Sequence, residues 1–119
     1  MKTNDVSENI NFLVQLLKMP LYMFKMRFSN SMNVTNPIFC KNVDVYEIKH
    51  NDLTIGCSFD EDGNLSSGIV FLNDKEEIRN YIDYCEKNMS IRSKNVWYND
   101  DIELKIRKNP FKRTLIFSR

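Results

Sequence analysis

The sequence predicts an α+β fold: an antiparallel sheet of about five or six strands with two helices, at residues ~6–18 and ~74–89, packed on one face. Two apolar stripes at helical spacing predict the helices, and several short runs of alternating or β-branched residues predict the sheet. With 119 residues and only three Gly and three Pro, nothing marks a linker or an internal repeat, so a single α+β domain over 1–119 is expected.

Taken in order, Asp5 and Glu8 form a capping-box-like pair. Val6, Ile10, Leu13, Val14 and Leu17 then recur on one helical face until Pro20 ends the pattern. Beyond the proline, Phe24, Met26 and Phe28 alternate with Lys25 and Arg27 as in a half-buried strand, while Met19, Met23, Met26 and Met32 fit a continuing helix equally well. Runs from Val43 to His50 and from Leu53 to Phe59 flank Asn51-Asp52, and a third run from Leu65 to Leu72 follows the turn Asp60–Asn64. These predict a three-stranded meander. Asn73 or Asp74 as N-cap, Glu76 and Glu77 in the first turn, and a stripe of Ile78, Tyr81, Ile82, Cys85 and Met89 predict the second helix. Val96-Trp97-Tyr98, then Ile102, Leu104 and Ile106 alternating with charged residues, then a Pro110 turn and Thr114 to Phe117 predict a closing hairpin. Helices on one side leave the other face of such a sheet partly free, and that face is a place for a partner.

Composition narrows the class. The chain is 42% hydrophobic and 12% aromatic, as a folded domain requires, and 28% charged. Alanine is absent and asparagine, at fifteen, is the commonest residue, a bias that fits codon usage in an AT-rich gene. Acids at Asp5 and Glu8 replace the positive start of a signal peptide, and Asn11, Gln15, Lys18 and Pro20 break the apolar stretch that follows. A cytoplasmic protein with no membrane span is expected. The Asn-x-Ser/Thr triplets at Asn33, Asn64 and Asn88 are then chance products of asparagine content.

No constellation carries recognisable chemistry. Cys40, Cys57 and Cys85 lack metal or redox spacing and read as buried thiols. His50, the single histidine, lies beside a hairpin turn and reads as a surface residue rather than a base. Asp60, Asp62 and Asn64 alternate as in a calcium loop, but glycine stands at 63 and Phe71 occupies the closing carboxylate's position, so a plain turn is expected. The expectation is therefore no enzyme, no metal and no cofactor. An enzyme built on Glu47, Asp60 or Asp83 is a minor alternative, as is a homo-oligomer pairing through strand edges.

Charge is uneven behind a net value of +1. Residues 104–119 carry Lys105, Arg107, Lys108, Lys112, Arg113 and Arg119 with no acid, which leaves 11 − 16 = −5 for the rest. This basic hairpin, with Phe111, reads as a charge-protected edge, or alternatively as a nucleic-acid grip. Trp97-Tyr98-Asn99-Asp100-Asp101 combines aromatic anchors with acids in a turn. Asp60, Glu61, Asp62, Trp97, Tyr98, Asp100 and Asp101 are accordingly the candidate partner-binding residues. The alternative for Trp97 is a place in the core, with the two aspartates merely favouring the turn.

In its general character, Asn-rich and alanine-free with aromatic and acidic turns, the chain resembles the immunity proteins of bacterial contact-dependent growth inhibition and related polymorphic toxin systems. That resemblance covers the whole chain and implies a cognate toxin domain, frequently a nuclease, as the partner to be bound and blocked. Acidic turns would then stand in for the phosphate that a nuclease cleft attracts.

Overall fold

The computed structural model describes residues 3–29, 32–33, 44–72, 74–108 and 113–119, with the side chains of 3–5, 32, 33 and 44 undescribed. Expectations placed on Cys40, Asn73, Pro110, Phe111, Lys112 and the side chains of Asp5 and Asn33 lie outside the described residues.

The first apolar stripe forms α1 (Thr3–Leu17), which starts earlier than the capping pair suggested, so Asp5 lies inside the helix. Pro20, which has no N–H to donate, ends this helical run, and the chain re-enters a helix immediately as α2 (Leu21–Arg27). The strand reading of Phe24 to Phe28 is thus corrected. Phe24 and Phe28 lie one helical turn apart; Phe24 is buried against the rings of Tyr46 and Phe59 while Tyr22, Met23 and Met26 stay exposed. The third helix, α3 (Lys75–Asn88), is capped by Asp74, whose carboxylate accepts from Glu77 N at 2.9 Å, with Glu76 and Glu77 in its first turn.

Among the described residues there are eight strands, not five or six: β1 (Met32–Asn33), β2 (Asp44–His50), β3 (Leu53–Phe59), β4 (Leu65–Phe71), β5 (Ser90–Ser93), β6 (Val96–Tyr98), β7 (Glu103–Lys108) and β8 (Arg113–Ser118). They form one sheet in the order β1-β2-β3-β4-β8-β7-β6-β5, every neighbouring pair antiparallel. The sheet is two meanders joined at a seam. α3 carries the chain from β4 to the far edge, the chain winds back through β5, β6 and β7, and β8 closes against β4.

Register sorts the side chains onto two faces. Tyr46, Cys57, Gly68, Phe117, Leu104 and Trp97 lie opposite one another across six strands, and Ile48, Ile55, Val70, Leu115 and Ile106 form the next row. Every one of these is buried beneath the helices, together with Val6, Ile10, Leu13 and Leu17 of α1 and Ile78, Tyr81 and Cys85 of α3. Gly68 is required here, because a Cβ at that position would collide with the Phe117 ring. Asn9 of α1 donates to the Tyr81 hydroxyl of α3 at 3.2 Å, a buried polar link between the helices. The opposite face carries no helix among the described residues, and none of its described side chains is buried.

Candidate functional site

Two tight turns bring the acidic candidates out of the sheet. In the β3–β4 turn the Asp60 carboxylate accepts from Asp62 N at 2.9 Å and Asn64 N at 3.0 Å, while Gly63 takes the left-handed conformation at φ 79°. Asp60 is therefore committed to shaping the turn, leaving Glu61 and Asp62 exposed. In the β6–β7 turn Asn99 plays the same part, its amide oxygen accepting from Asp101 N at 2.7 Å and Ile102 N at 3.0 Å. Asp100 and Asp101 project into solvent, and Asp101 lies 3.9 Å from Lys18 Nζ.

Strand directions place both turns at one end of the sheet. β4 and β7 both run away from that end, and between them in the sheet stands β8, whose last residues return to it. The turns are about three interstrand spacings apart, roughly 14 Å. The C-terminal end of α1 fills the rim between them. Arg119 donates to the Leu17 carbonyl, satisfying one of that helix's open acceptors, and Leu21 N donates to Gly63 O at 2.8 Å. Thus Glu61, Asp62, Asp100 and Asp101 share one rim, although they come from opposite meanders.

Trp97 does not join them. It is 5% exposed, faces the helices and packs in the row of Leu104 and Phe117, so it is a core residue rather than a surface anchor. The alternation of Val96-Trp97-Tyr98 with respect to Leu104 carried that signal. Tyr98 points the other way, is 36% exposed, and lies under the Arg92 guanidinium, 4.5 Å from its ring centre. Arg92 also pairs with Glu103 at 3.0 Å.

A concavity of about 550 Å³ lies along α1, closed by Arg27 of α2 and His50 of β2, and is lined by Ser7, Glu8, Asn11, Phe12, Gln15, Arg27 and His50. His50 is half-buried rather than freely exposed and stacks on Phe12 at 3.7 Å between ring centres, with 2° between planes. Burial lowers its pKa below 6.5; nearby Glu8 opposes that shift and Arg27 adds to it. Neither described cysteine is positioned as a nucleophile: burial pushes the thiols of Cys57 and Cys85 up to about 12, and Glu86 adds to the rise at Cys85. Among the described residues no group of three or more His, Cys, Asp or Glu could hold a metal ion, and no helix is long and apolar enough to cross a membrane. No family model, curated protein or solved structure matches the chain.

Proposed function

We propose that this protein is a protein-binding inhibitor that neutralises a cognate toxin domain, as the immunity proteins it resembles do, and that it acts in the cytoplasm. The observation that carries the reading is the emergence of two acidic turns at one rim of the sheet. Among the described residues Glu61, Asp62 and Asp100 have no cationic partner there, and Lys18 engages only Asp101. A concentration of carboxylates held by tight turns on a rigid sheet suits a cationic cleft, such as one that holds nucleic-acid phosphate. It would accelerate encounter before short-range contacts form.

The test begins with capture of tagged protein from its native lysate at moderate salt, with nuclease treatment as control. The captured partner is then bound to a variant carrying Glu61→Lys, Asp62→Lys and Asp100→Lys. All three side chains are exposed, so the variant should fold. A stoichiometric protein partner that survives nuclease treatment and loses tenfold or more in affinity for the variant, mainly through slower association, is the expected result. Equal affinity for both forms would overturn the rim as the binding site, and absence of any protein partner would overturn the inhibitor reading.

A further inference from the structure

The opposite end of the sheet, on the face without helices, holds a different arrangement. Register aligns Lys49, Thr54, Phe71, Thr114 and Arg107 across β2, β3, β4, β8 and β7, so that all five side chains project from the same face in one row. Phe71 stands at the centre and is 41% exposed, flanked on both sides by the short side chains of Thr54 and Thr114. A cation closes each end, with Lys49 and Arg107 about four interstrand spacings apart, roughly 19 Å. Lys105 lies in the adjacent row of the same face, beside Ile116 and in line with Ile69.

We infer that this row is a binding platform for single-stranded nucleic acid, with an unpaired base stacked on Phe71 and backbone phosphates engaged by Lys49, Arg107 and Lys105. Charge on the face favours that occupant. Its two carboxylates among the described residues are Glu103, already paired with Arg92, and Glu47, at the β2 position of the adjacent row. Lys105 and Arg107 have no carboxylate partner among the described residues. An aromatic face between cations suits a base between two phosphates, because stacking needs an accessible ring and phosphate needs cations not already held by carboxylates; Lys49 Nζ donates only to the Thr54 hydroxyl, at 3.2 Å. A duplex presents stacked, paired bases that Phe71 cannot reach, so the platform discriminates by strandedness. The threonine hydroxyls add donors at the level of the sugar and backbone. This surface lies at the other end of the strands from the acidic rim, and the inference does not depend on the inhibitor reading.

Fluorescence anisotropy with a labelled oligouridine of about ten residues tests it directly. Binding should weaken linearly in log–log form as salt rises, with a slope of about −2 for three phosphate contacts, and Lys49→Gln or Arg107→Gln should each reduce the slope by about 0.7. Phe71→Leu, which keeps apolar bulk and so preserves folding, should weaken binding roughly 5- to 100-fold without changing the slope, and Phe71→Tyr should restore it. Undetectable binding, a Phe71→Leu variant with unchanged affinity, or equal affinity for duplex of the same length would overturn the inference. Equal affinity for polyglutamate would also overturn it, and would instead make this face a dock for acidic protein surfaces.

Discussion

The two faces of this sheet are made by the same strands and do opposite things. On the helix side, Tyr46, Cys57, Phe117, Leu104 and Trp97 in one row and Ile48, Ile55, Val70, Leu115 and Ile106 in the next are all buried. On the other side the intervening residues run Lys49, Thr54, Phe71, Thr114, Arg107 and then Glu47, Gly56, Ile69, Ile116, Lys105, and none is buried. Stability lives on the first face and recognition has room to evolve on the second, because a substitution there removes little packing.

Direct substitution breaks or sharpens the contrast. The largest effect should come from Leu115→Ala, which empties a fully buried position at the seam and should cost about 2–5 kcal/mol in denaturant unfolding. Ile69→Ser, one strand away but 38% exposed on the other face, should cost well under half as much. Similar losses for the two would show that the open face is covered in solution. Next comes Gly68→Ala: its Cβ must displace the Phe117 ring, and overpacking of that kind should cost about 1–3 kcal/mol, visible as a lowered melting temperature. The smallest effect concerns pH at the edge of the covered face. Because folding lowers the His50 pKa, the unfolded chain binds this proton more readily, so the residue's contribution to stability declines as pH falls through about 6.5 and levels off below the folded-state pKa. His50→Gln should flatten that shoulder in melts run across the window; an unchanged profile would mean that another group sets it.

Much of the covered face could be read from the chain, and much of the site could not. Alternation in Leu53-Thr54-Ile55-Gly56-Cys57-Ser58-Phe59 matched the burial seen along β3, and the Asp74 cap with the Ile78, Tyr81 and Cys85 stripe matched α3. β5 escaped because all four of its residues are exposed, so burial impressed no period on Ser90–Ser93. α2 reads equally as strand or helix because Phe24, Met26 and Phe28 mimic a strand's alternation while the i, i+4 pair Phe24 and Phe28 does the packing; the helix reading is the one that holds. The acidic turns were recognisable singly, but their shared rim depends on β8 inserting between β4 and β7, a long-range pairing that no local pattern encodes. The same holds for the row centred on Phe71, whose members come from five strands.

The seam between β4 and β8 also bears on how the protein is made. β8 follows β5, β6 and β7 in the chain, so while those three strands emerge from the ribosome β4 lacks its seam partner and shows an open edge with Ile69 and Phe71 beside it. Residues Ser67–Phe71 must wait for Thr114–Ser118 before the two meanders become one sheet. Nascent or stalled chains are therefore open to strand pairing with one another at that edge, a hazard that ends when the final strand docks.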